Sequence, residues 1–295
     1  MTHPISPYLT TKELAQLLRL GERKVYDLAS SAQIPCVRAG GKLLFERVAV
    51  EAWLKQTQSG STVETAINLP AVIAGSHDPL LDWALRQSGS GLAGYFDGSE
   101  DGLQRVRSKD AALCALHIHE DKGWNTKRVS NGFNDLPLVL LEFCKRERGL
   151  FVSKGNPLGI NKLEDLKRRR LARRQAGAAS QNLFEKLLSE AGINPEMAFA
   201  GQNIARSESD LALEVKSGRA EAAFGLQSEA VAYDLDFIPL MTERLDLLIW
   251  RKAWFDPPFQ KFLRFCQSEP FFETAKSMSG YDLSELGYIH FNAAH

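Results

Sequence analysis

The sequence predicts a multi-domain chain, a small α-rich domain followed by a larger α/β domain. Three observations predict it. The length of 295 residues favours more than one domain. The first fifty-odd residues hold short amphipathic helical patterns around two brief strands. From Leu69 onward the texture changes to short apolar strands alternating with helices. The predicted division is 1–56, a polar Ser/Gly-centred linker at 57–68, and 69–295.

Within the first domain, Thr10 or Thr11 is placed to cap a helix, with Glu13 three residues after Thr10 in capping-box spacing. Leu14, Leu17 and Leu18 fall on one face of that helix, and Leu20-Gly21 ends it. A second helix runs from Glu22 to Ala29, so the pair makes a helix-turn-helix unit. Val25 and Leu28 point inward, leaving Arg23, Lys24 and Tyr26 exposed, as a reading helix needs. Ile34 to Phe45 reads as two strands joined at Gly40-Gly41, with Arg38 and Lys42 flanking the tip. A third helix, Val48 to Leu54 with Trp53, closes a miniature core.

The stretches Tyr8–Ala15, Arg23–Tyr26, Ile34-Pro35, Val37-Arg38, Gly40–Lys42 and Val50–Leu54 together resemble the excisionase and MerR-like winged helix-turn-helix family. That resemblance implies double-stranded DNA as a partner. The contacts would be Thr11 at the first helix, Arg23, Lys24 and Tyr26 on the reading helix, and Arg38 and Lys42 on the wing. Taken singly, each charge is as well explained by solvation; four on the two DNA-facing elements form an electrostatic footprint. From Met1 to Gln58 there are eight Lys/Arg against five Asp/Glu, although the whole chain is balanced at 36 each. So slight an excess implies modest affinity per copy and makes a homodimer on a palindromic operator the natural expectation.

Cys36, Cys114, Cys144 and Cys266 are scattered, without paired or metal-ligand spacing. They read as reduced thiols of a cytoplasmic protein. No secretory signal and no apolar run of bilayer-spanning length is present, so no membrane partner is expected.

In the second domain, Ala71–Ala74, Leu92–Phe96 and Ala111–His117 read as strands, with helices from Leu80 to Gln87 and from Gly98 through Val106. Leu136 to Val152 reads as a strand pair crossing between lobes. A second lobe follows: a helix over 162–167, a strand over 170–174, a turn through Ala179-Ser180 into a helix, a helix over 207–217 and the strand Glu221–Phe224. Phe237–Leu240 and Arg244–Trp250 return the chain to the first lobe, and helices near 258–266 and 271–278 finish it.

Ala74–Pro79, Arg174–Ser180, Ser217–Ala222, Phe237–Leu240 and Glu243 resemble the type-2 periplasmic-binding-protein fold, in the cytosolic form fused to helix-turn-helix modules and to molybdopterin-biosynthesis proteins. The resemblance implies a two-lobed domain, lobe I at about 69–150 and 241–295 and lobe II at about 151–240, with a ligand held between. One departure is that relatives carry Gly-Ser-Gly-Thr where this chain has Gly177-Ala178-Ala179-Ser180.

Helix starts carry unpaired amides and partial positive charge, which suit a small anion. Ser76, His77, Ser99, Arg174, Gln175, Gly177, Ala178, Ala179 and Ser180 are the predicted ligand residues, and molybdate or tungstate is the effector implied by the resemblance. The competing reading is that Ser76, Ser99 and Ser180 only cap their own helices. His117 and His119 line the cleft or border a loop. Lys167–Arg170 followed by Arg173-Arg174 has the look of a nucleic-acid patch, but a run entering a strand alternates faces, so most of it is expected to be solvated. No catalytic constellation, metal-spaced cluster or nucleotide-binding loop is readable, so neither an enzyme, a cofactor nor a metal is expected. The functional expectation is a small-molecule-responsive transcription regulator sensing an oxyanion. A regulator sensing an organic ligand and an excisionase-like architectural DNA binder are the alternatives.

Overall fold

The computed structural model describes residues 6–56, 69–199 and 203–293. The linker expected at 57–68 lies outside the described residues. Contacts divide the chain into two compact units, Met1–Asn68 and Leu69–His295.

In the first unit the helix Thr11–Leu18 begins with a complete capping box, in which Thr10 accepts from the Glu13 amide and the Glu13 carboxylate accepts from the Thr10 amide. The turn to the next helix, Glu22–Ser30, takes its left-handed residue at Arg19 (φ 53°), while Gly21 is extended. Strands Val37–Ala39 and Lys42–Glu46 form the wing, joined by Gly40 and Gly41 at φ 55° and 76°, the positive angles a two-residue hairpin turn requires. The third helix is Arg47–Gln56. A strand that sequence reading does not anticipate, Tyr8–Thr10, pairs with Lys42–Glu46 and makes the wing three-stranded. Leu9, Leu14, Val25, Ile34, Phe45 and Val50 form the core.

The second unit is built on one eight-stranded mixed sheet. In lobe I, Val72–Gly75 lies parallel between Ala93–Tyr95 and Leu113–Leu116. Two 15-residue strands, Leu138–Val152 and Asp236–Trp250, pair antiparallel over nearly their full length and run from one lobe into the other. The segment read as a strand pair is thus one strand, and the two return segments are likewise one. What misled the reading is charge. Lys145-Arg146-Glu147-Arg148 interrupts an apolar pattern where the strand passes between cores, with Phe143 and Cys144 in the first and Leu150 and Val152 in the second. Pro239 lies beside a register shift, where a missing N–H is tolerated.

In lobe II, Ala222–Leu226 extends the sheet, and the predicted 170–174 strand shortens to Arg173–Arg174, parallel to Ile204–Ala205. Apolar clusters cover the lobe II sheet around Phe184 and Phe224 and around Leu211 and Val215. Helix Thr126–Phe133, hairpin His119–Glu120/Gly123–Trp124, and C-terminal strands Tyr281–Asp282 and Ile289–Asn292 were not anticipated. All four cysteines are free, three of them buried.

Candidate functional site

On the reading helix Glu22–Ser30, Val25 is fully buried and Ala29 nearly so, while Arg23, Lys24 and Tyr26 stand exposed on the other side. Arg38 and Lys42 are exposed on either side of the wing tip. Thr11 differs from expectation. It occupies the first helical position with only 8% of its surface exposed, because Thr10 takes the cap, so its hydroxyl is poorly presented to a phosphate.

In the receptor unit, helices Ser99–Arg107 of lobe I and Ala179–Glu190 of lobe II begin close to each other. A Cβ added at Gly98 would lie 3.4 Å from the carbonyl oxygen of Gly177 and 4.0 Å from the Cα of Ala178. Gly98 and Ala178 are the cap residues, and neither start has a side-chain cap. Their first-turn amides therefore have no side-chain partner at the cap, although the Gln181 amide already donates to the Ala178 carbonyl at 3.0 Å. Beside them is a cavity of about 190 Å³ bordered by Ser99, Gly177, Ala179, Asn182, Lys186 and His119, by Glu100, whose carboxylate is paired with Arg128, and by the apolar Ile118 and Leu183.

The three serines are not caps of their own helices. Asp78, not Ser76, caps Pro79–Gln87 by accepting from the Leu81 amide. Ser99 and Ser180 follow their cap residues. Ser76 and Ser99 instead hydrogen-bond to each other at 2.7 Å, and the Ser99 hydroxyl accepts from the His117 amide at 3.3 Å. Ser180 is buried in the first turn of its helix. His77 is half-buried, its Nδ1 without a partner and its ring edge-on to Phe96.

A relay of buried charges links residues of the two lobes. Arg146 on the first crossing strand donates to Glu243 on the second (Nε–Oε1, 2.6 Å) and to Asp78 (Nη1–Oδ2, 2.6 Å), which also accepts from the Tyr281 hydroxyl at 2.7 Å. Arg148 donates to Glu243 (Nε–Oε2, 2.7 Å) and to Glu208 through both terminal nitrogens at 3.3 Å. Glu208 also accepts from Arg174 (Nη1–Oε1, 2.9 Å). Arg174, predicted as the charge that receives an anion, is thus already paired, and its Nε donates to Gln175 at 3.2 Å. His117 Nδ1 lies 3.1 Å from Glu243.

Burial alone would raise the Glu243 carboxyl, yet the guanidinium groups of Arg146 and Arg148 hold it well below the usual carboxylate range. Glu208 behaves alike, burial opposing and Arg148 and Arg174 prevailing. Burial pushes His117 down, against the pull of Glu243. Glu229, hydrogen-bonded by Ser209, is raised by burial, with the nearby Glu208 charge adding to the effect. Asp78, Arg146, Arg148, Glu208 and Glu243 are the residues sequence reading missed. The signal was there in part, since charged residues inside a strand of buried apolar neighbours must find partners.

Elsewhere, Glu142 and Asp246 on the crossing strands and His290 on Ile289–Asn292 each offer a ligand atom within 4.8 Å of the others. A guanidinium already holds that place. Arg244 donates to both Asp246 oxygens and faces His290 Nδ1 at 3.3 Å, while His290 Nε2 meets Glu142 at 2.8 Å. A metal on Nε2 would leave Nδ1 protonated against another donor, so these residues do not suit a cation.

A DNA-reading helix-turn-helix domain followed by a two-lobed α/β receptor domain is the construction of a ligand-responsive DNA-binding regulator. A family model for a helix-turn-helix domain matches residues 8–58, and one for the PBP superfamily domain matches residues 81–267. The chain belongs to the PBP superfamily. It is 25% identical over 303 residues to "Uncharacterized protein YvgK" of Bacillus subtilis (strain 168), covering 95% of this chain and 96% of that one. A phosphate ABC transporter substrate-binding protein from Clostridium perfringens with bound phosphate shares the fold at 11% identity, with a TM-score of 0.52 over 70% of this chain and 96% of that one. The regulatory domain of MetR, a LysR family regulator from N. meningitidis, does so at 15% identity and a TM-score of 0.50, over 72% and 96%.

Proposed function

We propose that this regulator senses a small oxyanion, of which molybdate and tungstate are the first to test, and that the anion sits at the outer mouth of the interlobe cleft. The observation that carries the reading is the convergence of two uncapped helix starts, one from each lobe, on a cavity of about 190 Å³. Amides held there by the fold meet an anion without reorganisation. Ser99, Gly177 and Ala179 border the cavity, Ser76 orients Ser99, and Arg174 supplies formal charge when released from Glu208. In the head, Arg23, Lys24, Tyr26, Arg38 and Lys42 contact an operator as a cytoplasmic homodimer. The anion acts only through its differential affinity for the open and closed shapes of the receptor.

Another observation favours a second reading. The two lobes are tied by the protein's own buried, paired charges, as suits an architectural DNA binder whose large domain serves assembly. One experiment separates them. Thermal melting of the full chain is measured with molybdate, tungstate, phosphate or sulfate. Saturation at about a hundred times the dissociation constant adds roughly 2.7 kcal/mol, a shift of several degrees. An unchanged melting temperature with all four at millimolar concentration overturns the anion reading.

A further inference from the structure

The relay ends in two acid junctions that are not equivalent. Glu243 uses both oxygens: Arg146 donates to Oε1 at 2.6 Å, and Arg148 grips the carboxylate with a fork, Nε to Oε2 at 2.7 Å and Nη2 to Oε1 at 3.2 Å. Glu208 uses one. Its Oε1 takes Arg148 twice at 3.3 Å and Arg174 at 2.9 Å, while the buried Oε2 has no hydrogen-bond partner. Two guanidinium groups compete for one oxygen, and the forked geometry that strengthens an arginine–carboxylate pair is not achieved. Arg174 is the end member of the relay. If it leaves, Glu208 keeps Arg148, and Arg148 keeps Glu243, so no buried charge is stranded. Arg146 and Arg148 lack that freedom: Arg146 is the arginine paired with Asp78, and Arg148 bridges Glu208 and Glu243.

Arg174 does not border the cavity, but it ends the short strand Arg173–Arg174 three residues before Gly177, which does; its Nε donates to Gln175 and its Nη2 to the Arg206 carbonyl at 3.1 Å. We infer that Glu208 is a built-in competitor of the effector: its carboxylate holds the Arg174 guanidinium in the unliganded receptor, and an anion at the mouth binds by capturing that guanidinium from it. This rests on the proposed anion site and adds its regulation. Affinity is set by how tightly an internal carboxylate holds the arginine, and a weak anion that cannot outbid a carboxylate is rejected.

The test is calorimetric titration of molybdate, with phosphate and acetate in parallel, into the full-length protein and into Glu208→Gln, a replacement of equal shape without charge. Release of Arg174 predicts binding at least about tenfold tighter in the variant, as loss of a competing charge-assisted hydrogen bond implies. It also predicts a narrower gap between molybdate and acetate. Arg174→Gln should lose the heat signal in either background. Unchanged or weaker binding by a folded Glu208→Gln overturns the inference while leaving the anion site standing. Absence of binding by wild type and variant alike overturns the site itself. Should Glu208→Gln not fold, Arg174→Gln alone decides: retained wild-type affinity means that Arg174 is not captured, and the inference fails.

Discussion

Glu243 has no exposed surface and ties three elements at once, accepting from Arg146 and Arg148 on one crossing strand and lying 3.1 Å from His117 of lobe I. Replacing it with Leu would leave two guanidinium groups without their shared carboxylate. Removing one partner of a buried pair costs roughly 3–5 kcal/mol, because the remaining charge stays desolvated. Urea denaturation of Glu243→Leu should show that loss, and one below about 1 kcal/mol would mean that water reaches the relay. The same residue gives the wild type a signature in acid. Its folded pKa, like that of Glu208, lies below the ordinary value of 4.5, so the unfolded chain binds protons first. The stability this contributes is present above that value and is lost as pH falls through the depressed folded values. Glu229 has the opposite sign, its contribution being full below 4.5 and lost as pH rises through its raised folded value. The acid limb should accordingly be flatter in Glu243→Leu than in the wild type.

At the scale of elements, legibility followed pattern strength. Helices with caps and an apolar stripe were found nearly to the residue: 80–87 against Pro79–Gln87, 258–266 against Pro257–Cys266. The strand Tyr8–Thr10 was invisible because three residues carry no alternation, and only the tertiary partner Lys42–Glu46 makes them a strand. The long strands were cut in two because Arg146, Arg148 and Glu243 look like loop residues until their partners are known. Such pairings link positions 60 to 126 residues apart, beyond the reach of periodicity. For the site, the helix starts were readable and the internal occupant was not. The crossing strands also contain their most demanding contact. A Cβ at Gly149 would sit 2.0 Å from the Ile238 carbonyl oxygen, a backbone atom that cannot turn aside. Gly149→Ala must push the strands apart where they join the lobes. It should lower the melting temperature by several degrees, as overpacking of about 1–3 kcal/mol does, and an unchanged melting curve would show that the hinge yields.

For the whole molecule, the consequence is linkage. If an anion alters the affinity of the head for an operator by some factor, the operator must alter the affinity for the anion by the same factor. A coupling of 1–3 kcal/mol, the usual range, corresponds to about 5–150-fold on each side. The measurement needs no knowledge of whether the anion strengthens or weakens DNA binding. An operator selected from random duplexes is titrated by fluorescence anisotropy with and without saturating molybdate, and molybdate is titrated by calorimetry with and without saturating operator. Salt must be identical in both, because phosphate contacts by basic side chains make any DNA affinity ionic-strength dependent. The two ratios should agree within error and differ from one. Ratios of one on both sides would mean that the receptor binds its anion without informing the head, and sensing would then have to be sought outside transcriptional control. Arg174→Gln gives the control for specificity: DNA binding without effector should persist, since the head's basic residues are untouched, while the molybdate-dependent ratio should fall to one.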